Sequence, residues 1–589
     1  MGRPFHALFR WLLACFLLGS VAVAQGPPAS SGLSLRTETT LVQVPVIVTD
    51  RQGHPVSGLK KEDFLVREDG KPQRIAVFEH IQHAAAPSIK LKVPEGVFTN
   101  RVEQNGPARL TIIAIDAVGT GITEQQAARR EILDFISKNV SVDQPVALVM
   151  LGQNKVKVLH DFTTDPRILI AAIRNIVSGR SDAASIAADD AIIQTNPNPL
   201  NSGMANLFNQ MAAAETDTIQ TAFQTFMVGQ QRTMVENSLD AFNEIARAFA
   251  GIPGRKSLIW ITNGQSMASG DLDIAASMDM GQTVSGTTAL PNVPRGAEGS
   301  HALVTLADTG PQVNAYFERA WRLLNDSNIA VYPLDISEVS NPALTNPALR
   351  VRSGLKRPAN NLARLEQFAG ETGGSVCLHT TDLDNCFRRA GEDSQDYYML
   401  AYYADPANKK TDWRRIQVSL DKRDVKLRAR AGYYPRQPKL HDKKMPLNAV
   451  LSAIGSPLEF TSLPLEVRLD RIVPSEGDAG KQRVNFVLFV PPTAGFIAGA
   501  DNHMDLTLAA VAKLPDARPV GQFVRQAAGA LKPQAAADLS IHGFALPGSM
   551  DLAPGDYELK CVVRDNQNGH MGTVTVPVKV EAPQNASRH

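Results

Sequence analysis

Two short apolar runs in the sequence are each followed by residues with oxygen-bearing side chains. Residues 110–115 lead into Asp116, and residues 257–261 lead into Asn263. If both runs are buried strands of one open α/β sheet, their carboxyl ends lie at the edge where ligands bind in such sheets. Hard divalent cations prefer oxygen ligands, and carboxylates above all. The pattern therefore predicts a ligand or cation site at this edge.

The same stretch argues against tight cation binding. Val118 has no side-chain oxygen, and Asn263 offers a neutral carbonyl where a carboxylate would add charge. We therefore expect Mg²⁺ or Ca²⁺ to be bound weakly, if at all, unless Thr123 or Ser266 compensates. The alternative, which we prefer, is that Asp116 and Thr120 hydrogen-bond to loop amides and cap the following helix.

Alternating strand and helix patterns surround these residues. Apolar residues at helical spacing occur within 128–140, 169–177, 235–249, 313–324 and 362–368, and strand-like runs at 146–151, 156–159, 329–334 and 375–378. This alternation predicts an α/β fold with a doubly wound, mostly parallel sheet over residues 107–393. Residues 181–233, rich in Ala, Met, Asn and Gln, are interpreted as a helical insertion.

Strand patterns without helices flank this region on both sides. They cover 41–48, 64–67 and 74–78 before it, and 397–403, 415–420 and 425–431 after it. Glu68–Lys71, with Asp69-Gly70 at its centre, predicts a hairpin turn between the second and third of these runs, and residues from about 88 to 107 are interpreted as a linker. Three strands alone would leave a face uncovered, so we expect 33–88 and 394–435 to form one discontinuous β-domain. Residues 445–583 show strands at 465–468, 484–490, 506–511, 539–544, 557–563 and 573–580, which predicts an immunoglobulin-like sandwich.

The amino terminus has the pattern of an export signal. Arg3 and Arg10 precede an apolar stretch, and Ala22–Ala24 forms a small-residue cleavage site, so 1–24 is predicted to be a signal peptide. Lipoprotein processing at Cys15 and a retained membrane anchor are the alternatives. No later run reaches the roughly 20 apolar residues of a spanning helix. We expect a secreted or periplasmic protein, with association to the outer membrane as an option.

Composition narrows the classes of partner. The 589 residues suggest about three domains, and the net charge of +1 is that of an ordinary soluble protein. Basic arms with interleaved aromatic residues are missing, which disfavours nucleic acid. Cys377 and Cys386 lie nine residues apart and can pair in an oxidising compartment or remain two buried thiols, and Cys561 is predicted to be a core thiol.

Motifs for catalysis are missing from the sequence. No Gly-x-Ser-x-Gly, His-Glu-x-x-His or phosphate-binding Gly-rich loop with Lys is present. His80 and His83 lack further zinc ligands at suitable spacing. The tyrosines at 397, 398, 402 and 403 are interpreted as a cross-strand aromatic set and not as a sugar platform. We therefore expect no enzymatic activity.

Three segments together resemble one known family. Val46–Asp50 with Gly58–Phe64 and Glu68–Gln73, then Lys256–Gly264, then Tyr397–Tyr403 with Lys426–Tyr434, are similar to the acidobacterial von Willebrand factor type A-related proteins. The resemblance covers roughly Leu41–Tyr434. It implies an exported protein with a von Willebrand factor A-like core and no established enzymatic activity.

The resemblance also implies a cation site. Family members bind a divalent cation through Asp-x-Ser-x-Ser after the first strand, a Thr on another loop and a later Asp-Gly. Here Asp116 and Thr120 match the first and last ligands of the triplet, whereas Val118 and Asn263 depart from the pattern. Ser178 or Ser181 would be the third ligand. The implied site is a degenerate one.

Two functions remain open from the sequence. The first is an exported protein-binding or adhesion module that acts through the carboxyl edge of the sheet on an envelope or extracellular protein. The second is a structural or assembly component of the cell envelope without a dedicated ligand.

Overall fold

The computed structural model describes residues 41–82, 94–101, 110–118, 132–133, 136, 145–152, 156–177, 217–264, 310–336, 359–377, 383–405, 408, 413–435, 445–492 and 502–582, apart from 423, 479, 516 and 517. Within these residues the helices are α1 Pro166–Val177, α2 Asp217–Phe249, α3 Gly310–Asp326, α4 Ala359–Thr372, α5 Leu383–Gln395, α6 Met445–Gly455 and α7 Pro533–His542, with a 3₁₀ turn at Lys61–Asp63.

The strands fall into five sheets within the same residues. They are β1 Leu41–Thr49, β2 Phe64–Glu68, β3 Lys71–Gln73, β4 Ile75–Gln82, β5 Val97–Thr99, β6 Leu110–Asp116, β7 Val146–Leu151, β8 Val156–Thr163, β9 Lys256–Thr262, β10 Ile329–Asp335, β11 Asp396–Tyr403, β12 Arg414–Leu420, β13 Lys426–Ala429, β14 Gly432–Tyr433, β15 Glu466–Leu469, β16 Val473–Pro474, β17 Gln482–Val490, β18 His503–Lys513, β19 Pro519–Ala530, β20 Phe544–Leu552, β21 Gly555–Asp565 and β22 Met571–Val580.

The predicted fold class, α/β with a doubly wound and mostly parallel sheet, is wrong for this chain. Of the five described sheets, four are antiparallel throughout. The fifth has the order β10-β9-β6-β7-β8, in which β8 is antiparallel to β7. The prediction failed because it rested on the alternation of strands and helices in one stretch. Most strands in the rest of the described chain pair antiparallel, which that alternation does not indicate.

Strands that precede residue 107 pair with strands that follow residue 393 in two of the antiparallel sheets. β1 pairs with β11 and β13, and β4 pairs with β11. β2 pairs with β12 in the other sheet, which also contains β3 and β14. A common apolar core between them includes Val44, Val66, Leu400 and Ile416.

A buried carboxylate holds these two sets of strands together. Glu68 on β2 is 2% exposed and accepts hydrogen bonds from the Tyr402 and Tyr433 hydroxyls at 2.7 and 3.0 Å. Its other oxygen accepts from Arg414 Nη1 and from Asn408 Nδ2, both at 3.2 Å. Four donors on one buried carboxylate offset its loss of hydration.

Several local predictions need correction. The Asp69-Gly70 turn is present, with φ of 47° and 84°, but it joins β2 to β3, and β4 belongs to another sheet. Residues 88–107, interpreted as a linker, contain β5, which pairs with β15 far along the chain. Within the described part of the strand predicted at 375–378, which ends at residue 377, the pairing is a single bridge from Cys377 to Leu334.

The carboxyl-terminal strands form two sheets that pack face to face. One has the order β16-β17-β15-β5, with β20 also paired to β17, and the other β19-β18-β21-β22. Phe486, Leu508, Leu559 and Val576 belong to their shared core. The predicted strand at 539–544 is wrong, because most of it lies in α7, and β19 was not predicted.

Helix α2 ends against the segment that leads into these sheets. The Thr461 hydroxyl donates to the Ala248 carbonyl at 2.6 Å and accepts the Gly251 amide at 3.0 Å. A Cβ on Gly251 would lie 1.7 Å from the Thr461 carbonyl oxygen, so only glycine permits this approach. The mixed sheet's helices and the carboxyl-terminal sheets therefore meet in direct contact.

Candidate functional site

Asp116 ends β6 at the point where the order of the mixed sheet reverses. From β6 the chain proceeds to β7 on one side, while β9 lies on the other side. Crevices at such switch points, outside the carboxyl ends of strands, are where open sheets of parallel strands bind ligands. The structure therefore places Asp116 and the end of β9 at the edge that the sequence indicated.

The Asp116 carboxylate is fully buried and links two strand ends. Its Oδ2 accepts the Thr262 hydroxyl at 2.7 Å, and its Oδ1 accepts the Val118 amide at 2.9 Å. The Thr262 oxygen in turn accepts the Gly264 amide at 3.0 Å. This chain of hydrogen bonds fixes the backbone where it leaves β6 and β9. Asp116 accepts a loop amide, that of Val118, whereas the predicted capping of the following helix lies outside the described residues.

Sequence reasoning missed two residues of this edge. Thr262, the direct partner of Asp116, is 0% exposed, and Asp335 at the end of β10 is 4% exposed. Asn263 lies beside them and is 7% exposed. The Ile336 amide donates to the Thr262 carbonyl at 2.9 Å, which extends the edge to β10. A polar residue directly after each apolar run was the signal that could have found Thr262 and Asp335.

The remaining predicted site residues lie outside the described residues. These are Thr120 and Ser181, together with Thr123, Ser178 and Ser266. Their parts in a cation or ligand site stay predictions.

The described donors do not fit a tightly bound divalent cation. Both Asp116 oxygens already accept hydrogen bonds, Val118 supplies no side-chain oxygen and Asn263 is neutral. Over the described ranges, no group of three His, Cys, Asp or Glu side chains is arranged to hold a metal ion. A hard cation needs several oxygens to replace its water. The described residues at this edge therefore do not form a tight binding site for a divalent cation.

A second buried polar network ties the mixed sheet to the flanking β-sheet. Asp393 on α5 accepts the Tyr332 hydroxyl at 2.6 Å and Arg428 Nη2 of β13 at 2.6 Å. Arg255 donates to the Tyr332 oxygen at 3.2 Å and to the Gly373 carbonyl at 2.7 Å. Burial, with the neighbouring Asp393 charge, raises the pKa of Tyr332 to about 12.

The two cysteines with nine-residue spacing form a disulfide. Cys377 and Cys386 have Cα atoms 5.9 Å apart, within the usual range for a bridge. Cys561 is a buried free thiol on β21, and burial raises its pKa. A protonated, buried thiol is unreactive.

The histidine and tyrosines for which zinc and sugar binding were disfavoured make structural contacts. His80 Nε2 lies 2.7 Å from Asp396 Oδ1, and the ring stacks on Tyr398 at 4.2 Å between centroids. Tyr397, Tyr398 and Tyr402 are buried, while Tyr403 is 56% exposed. His83 lies outside the described residues.

Comparison with known proteins identifies no family. No family model matches the sequence, and the search of curated proteins finds no match. The resemblance given for the sequence therefore stays a prediction. Among the described residues, no helix is both long and apolar enough to cross a membrane.

Solved structures give only distant matches. Three N-terminal domains of the type V pili tip protein Mfa5 from Porphyromonas gingivalis match at 10% identity and a TM-score of 0.21, over 92% of this chain and 77% of that one. The pilus adhesin SpaC from Lactobacillus rhamnosus GG, in an open conformation, matches at 8% identity and a TM-score of 0.22, over 88% and 72%. Likeness at this level carries no argument about fold or function.

Proposed function

We propose that this protein is an exported binding module of the adhesion type, which docks an envelope or extracellular protein at the carboxyl edge of the mixed sheet. The observation that carries the proposal is the buried hydrogen bond between Asp116 and Thr262 at the topological switch point. It holds the starts of two loops in fixed positions at the carboxyl edge of the sheet, and preformed loops reduce the entropy lost on binding.

The same geometry favours a binding role over catalysis. Asp116 is fully buried and both its oxygens accept hydrogen bonds, so the carboxylate organises the loops and does not face a substrate. We also propose that docking here depends weakly or not at all on Mg²⁺ or Ca²⁺, since the described donors do not fit a tight site.

A substitution just after β6, at the carboxyl edge of the sheet, tests the proposal. Val118→Arg places a long charged side chain at a half-buried loop position and leaves the Asp116–Thr262 bond in place. Val77→Arg is the matched control, since Val77 is 41% exposed on β4. In cross-linking captures from envelope extract, with and without chelator, we expect Val118→Arg alone to lose partners. Equal capture by both variants would reject docking at this edge.

The second candidate is a structural component of the envelope. It is favoured by an apolar cluster that the mixed sheet and its helices share with the carboxyl-terminal half. Phe242 of α2 belongs to this cluster, as do Val450, Leu458 and Val562. A component of this kind is retained in the envelope whether or not docking at the carboxyl edge of the mixed sheet is blocked. Cell fractionation of the Val118→Arg strain therefore separates the two candidates, because only the docking module is released.

A further inference from the structure

An open-sided cavity of about 670 Å³ lies on the sheet that contains β12, which is not the sheet that contains Asp116. Among the described residues it is lined by Asp69, Gly70, Trp413, Arg415 and Gln417. Arg415 and Gln417 alternate along β12, and Trp413 continues this alternation one residue before the strand, so the three side chains lie on the same outward face. The inward residues between them, Arg414 and Ile416, are buried.

The indole of Trp413 is held in a fixed position. Its ring lies against Gly432, where an added Cβ would come within 2.5 Å of two ring carbons. The Tyr434 ring packs against it at 4.9 Å between centroids. Trp413 is only half-buried, so part of its apolar surface faces the cavity. A rigid aromatic surface binds a flat apolar ligand face with little loss of side-chain entropy.

Two arginines stand on the polar side of the cavity, beside the Asp69 carboxylate that also lines it. Arg415 projects from β12, and Arg67 stands on the same face because it lies directly opposite Gln417 in the register. Both are exposed, and within the described part of the chain neither has a carboxylate at ion-pairing distance. Asp69 Oδ1 accepts the Arg415 amide at 3.0 Å, which holds the Asp69-Gly70 turn against β12.

The backbone at this cavity cannot pair with an added peptide strand. β12 lies between β2 and β14, so its edges are occupied where the cavity forms. Strand addition, the usual way for a sheet to bind an extended peptide, needs an open edge. The ligand must instead be recognised by the side chains on the face of the sheet.

We infer that this cavity binds an acidic polysaccharide, with a sugar ring stacked on Trp413 and uronate carboxylates paired with Arg415 and Arg67. The C–H face of a pyranose is flat and apolar and matches an indole. A carboxylate accepts two parallel hydrogen bonds from one guanidinium. The Gln417 amide can donate to and accept from sugar hydroxyls. The site is separate from the proposed docking edge and does not depend on it.

Polygalacturonate and its methyl ester are the probes, because esterification removes the carboxylate charges and keeps the sugar ring. Titration is followed by iodide quenching of tryptophan fluorescence in the chain from residue 25 onward. Trp260 and Trp321 are 0% and 6% exposed, so the quenchable signal comes from Trp413. We expect polygalacturonate to protect Trp413 and the ester to bind at least about tenfold more weakly.

Arg415→Gln should weaken polygalacturonate binding by about tenfold or more. Arg525→Gln should not, although Arg525 also lies beside an aromatic ring, at 5.2 Å from the Phe523 centroid on β19. Binding should also weaken as salt rises. Three outcomes would overturn the inference: no protection of Trp413, equal binding of ester and acid, or tighter protection by a single-stranded oligonucleotide than by polygalacturonate.

Discussion

The Thr461 hydroxyl donates a hydrogen bond to the Ala248 carbonyl at 2.6 Å, across more than 200 residues of sequence. The Thr461 amide donates to the same carbonyl at 3.2 Å. The last carbonyls of a helix have no partner within it, and here a residue from the distant segment supplies one. The end of α2 and the start of the carboxyl-terminal sheets are thereby held as one structural unit.

Replacing Thr461 by Val should loosen that junction. Valine keeps the shape but removes the hydroxyl, so the free energy of unfolding should fall by about 1–2 kcal/mol. Amide exchange at Gly251 should also accelerate. Thr163→Val is the matched control, since the Thr163 hydroxyl oxygen accepts only a local amide, that of Asp165 at 3.1 Å. Unchanged exchange at Gly251 in Thr461→Val would contradict the coupling.

Glu68→Gln should destabilise the two flanking sheets strongly. It leaves Arg414, whose side chain is 8% exposed, without its carboxylate partner. Breaking a buried ion pair from one side costs about 3–5 kcal/mol. Urea denaturation should show a lower midpoint, whereas Glu79→Gln, at an exposed position on β4, should leave it unchanged. A midpoint equal to that of the wild type would mean that the carboxylate charge is dispensable.

The Cys377–Cys386 disulfide predicts how many cysteines react with an alkylating reagent before and after reduction. In the chain from residue 25 onward, denatured without reductant, we expect only Cys561 to react with an alkylating reagent. After reduction all three cysteines should react. Cys377→Ser with Cys386→Ser should lower the free energy of unfolding by about 2–3 kcal/mol, from the chain entropy of a short loop. Three reactive thiols before reduction would disprove the bridge.

Glu371 should make stability depend on pH. Burial raises its pKa to about 7 from 4.5, against the opposing effect of Arg415. The folded protein therefore keeps a proton that the unfolded chain releases. The contribution to stability is complete below about pH 4.5 and is lost as the pH rises through 7.

Thermal denaturation between pH 4 and 8 measures this dependence. Glu371→Gln should flatten the decline in melting temperature with rising pH. Glu366→Gln is the control, because Glu366 is exposed on the same helix, α4. An unchanged pH profile in Glu371→Gln would show that this carboxyl does not titrate in the range.

Local sequence was enough to locate many elements. The strand Val146–Leu151 is found as predicted, because a short continuous apolar run bounded by polar residues is typical of a buried strand. The run predicted at 156–159 is also a strand, and it extends to Thr163 at the edge of the mixed sheet. The Asp69-Gly70 turn is also found, since positive φ at both positions favours these residues. In each case the deciding interactions lie within a few residues.

The tertiary structure alone decided which elements meet. The sequence near Val97–Thr99 does not indicate that this strand pairs with Glu466–Leu469. The sequence near Thr262 does not indicate that its hydroxyl donates to Asp116. The fold-class prediction failed for the same reason, because strand pairing is a long-range choice set by register and by shared apolar faces. Residue types determined what chemistry Trp413, Arg415 and Asp116 can do. The packing of distant strands determined that Asp116 is buried as an organising group while Trp413 and Arg415 face an open cavity.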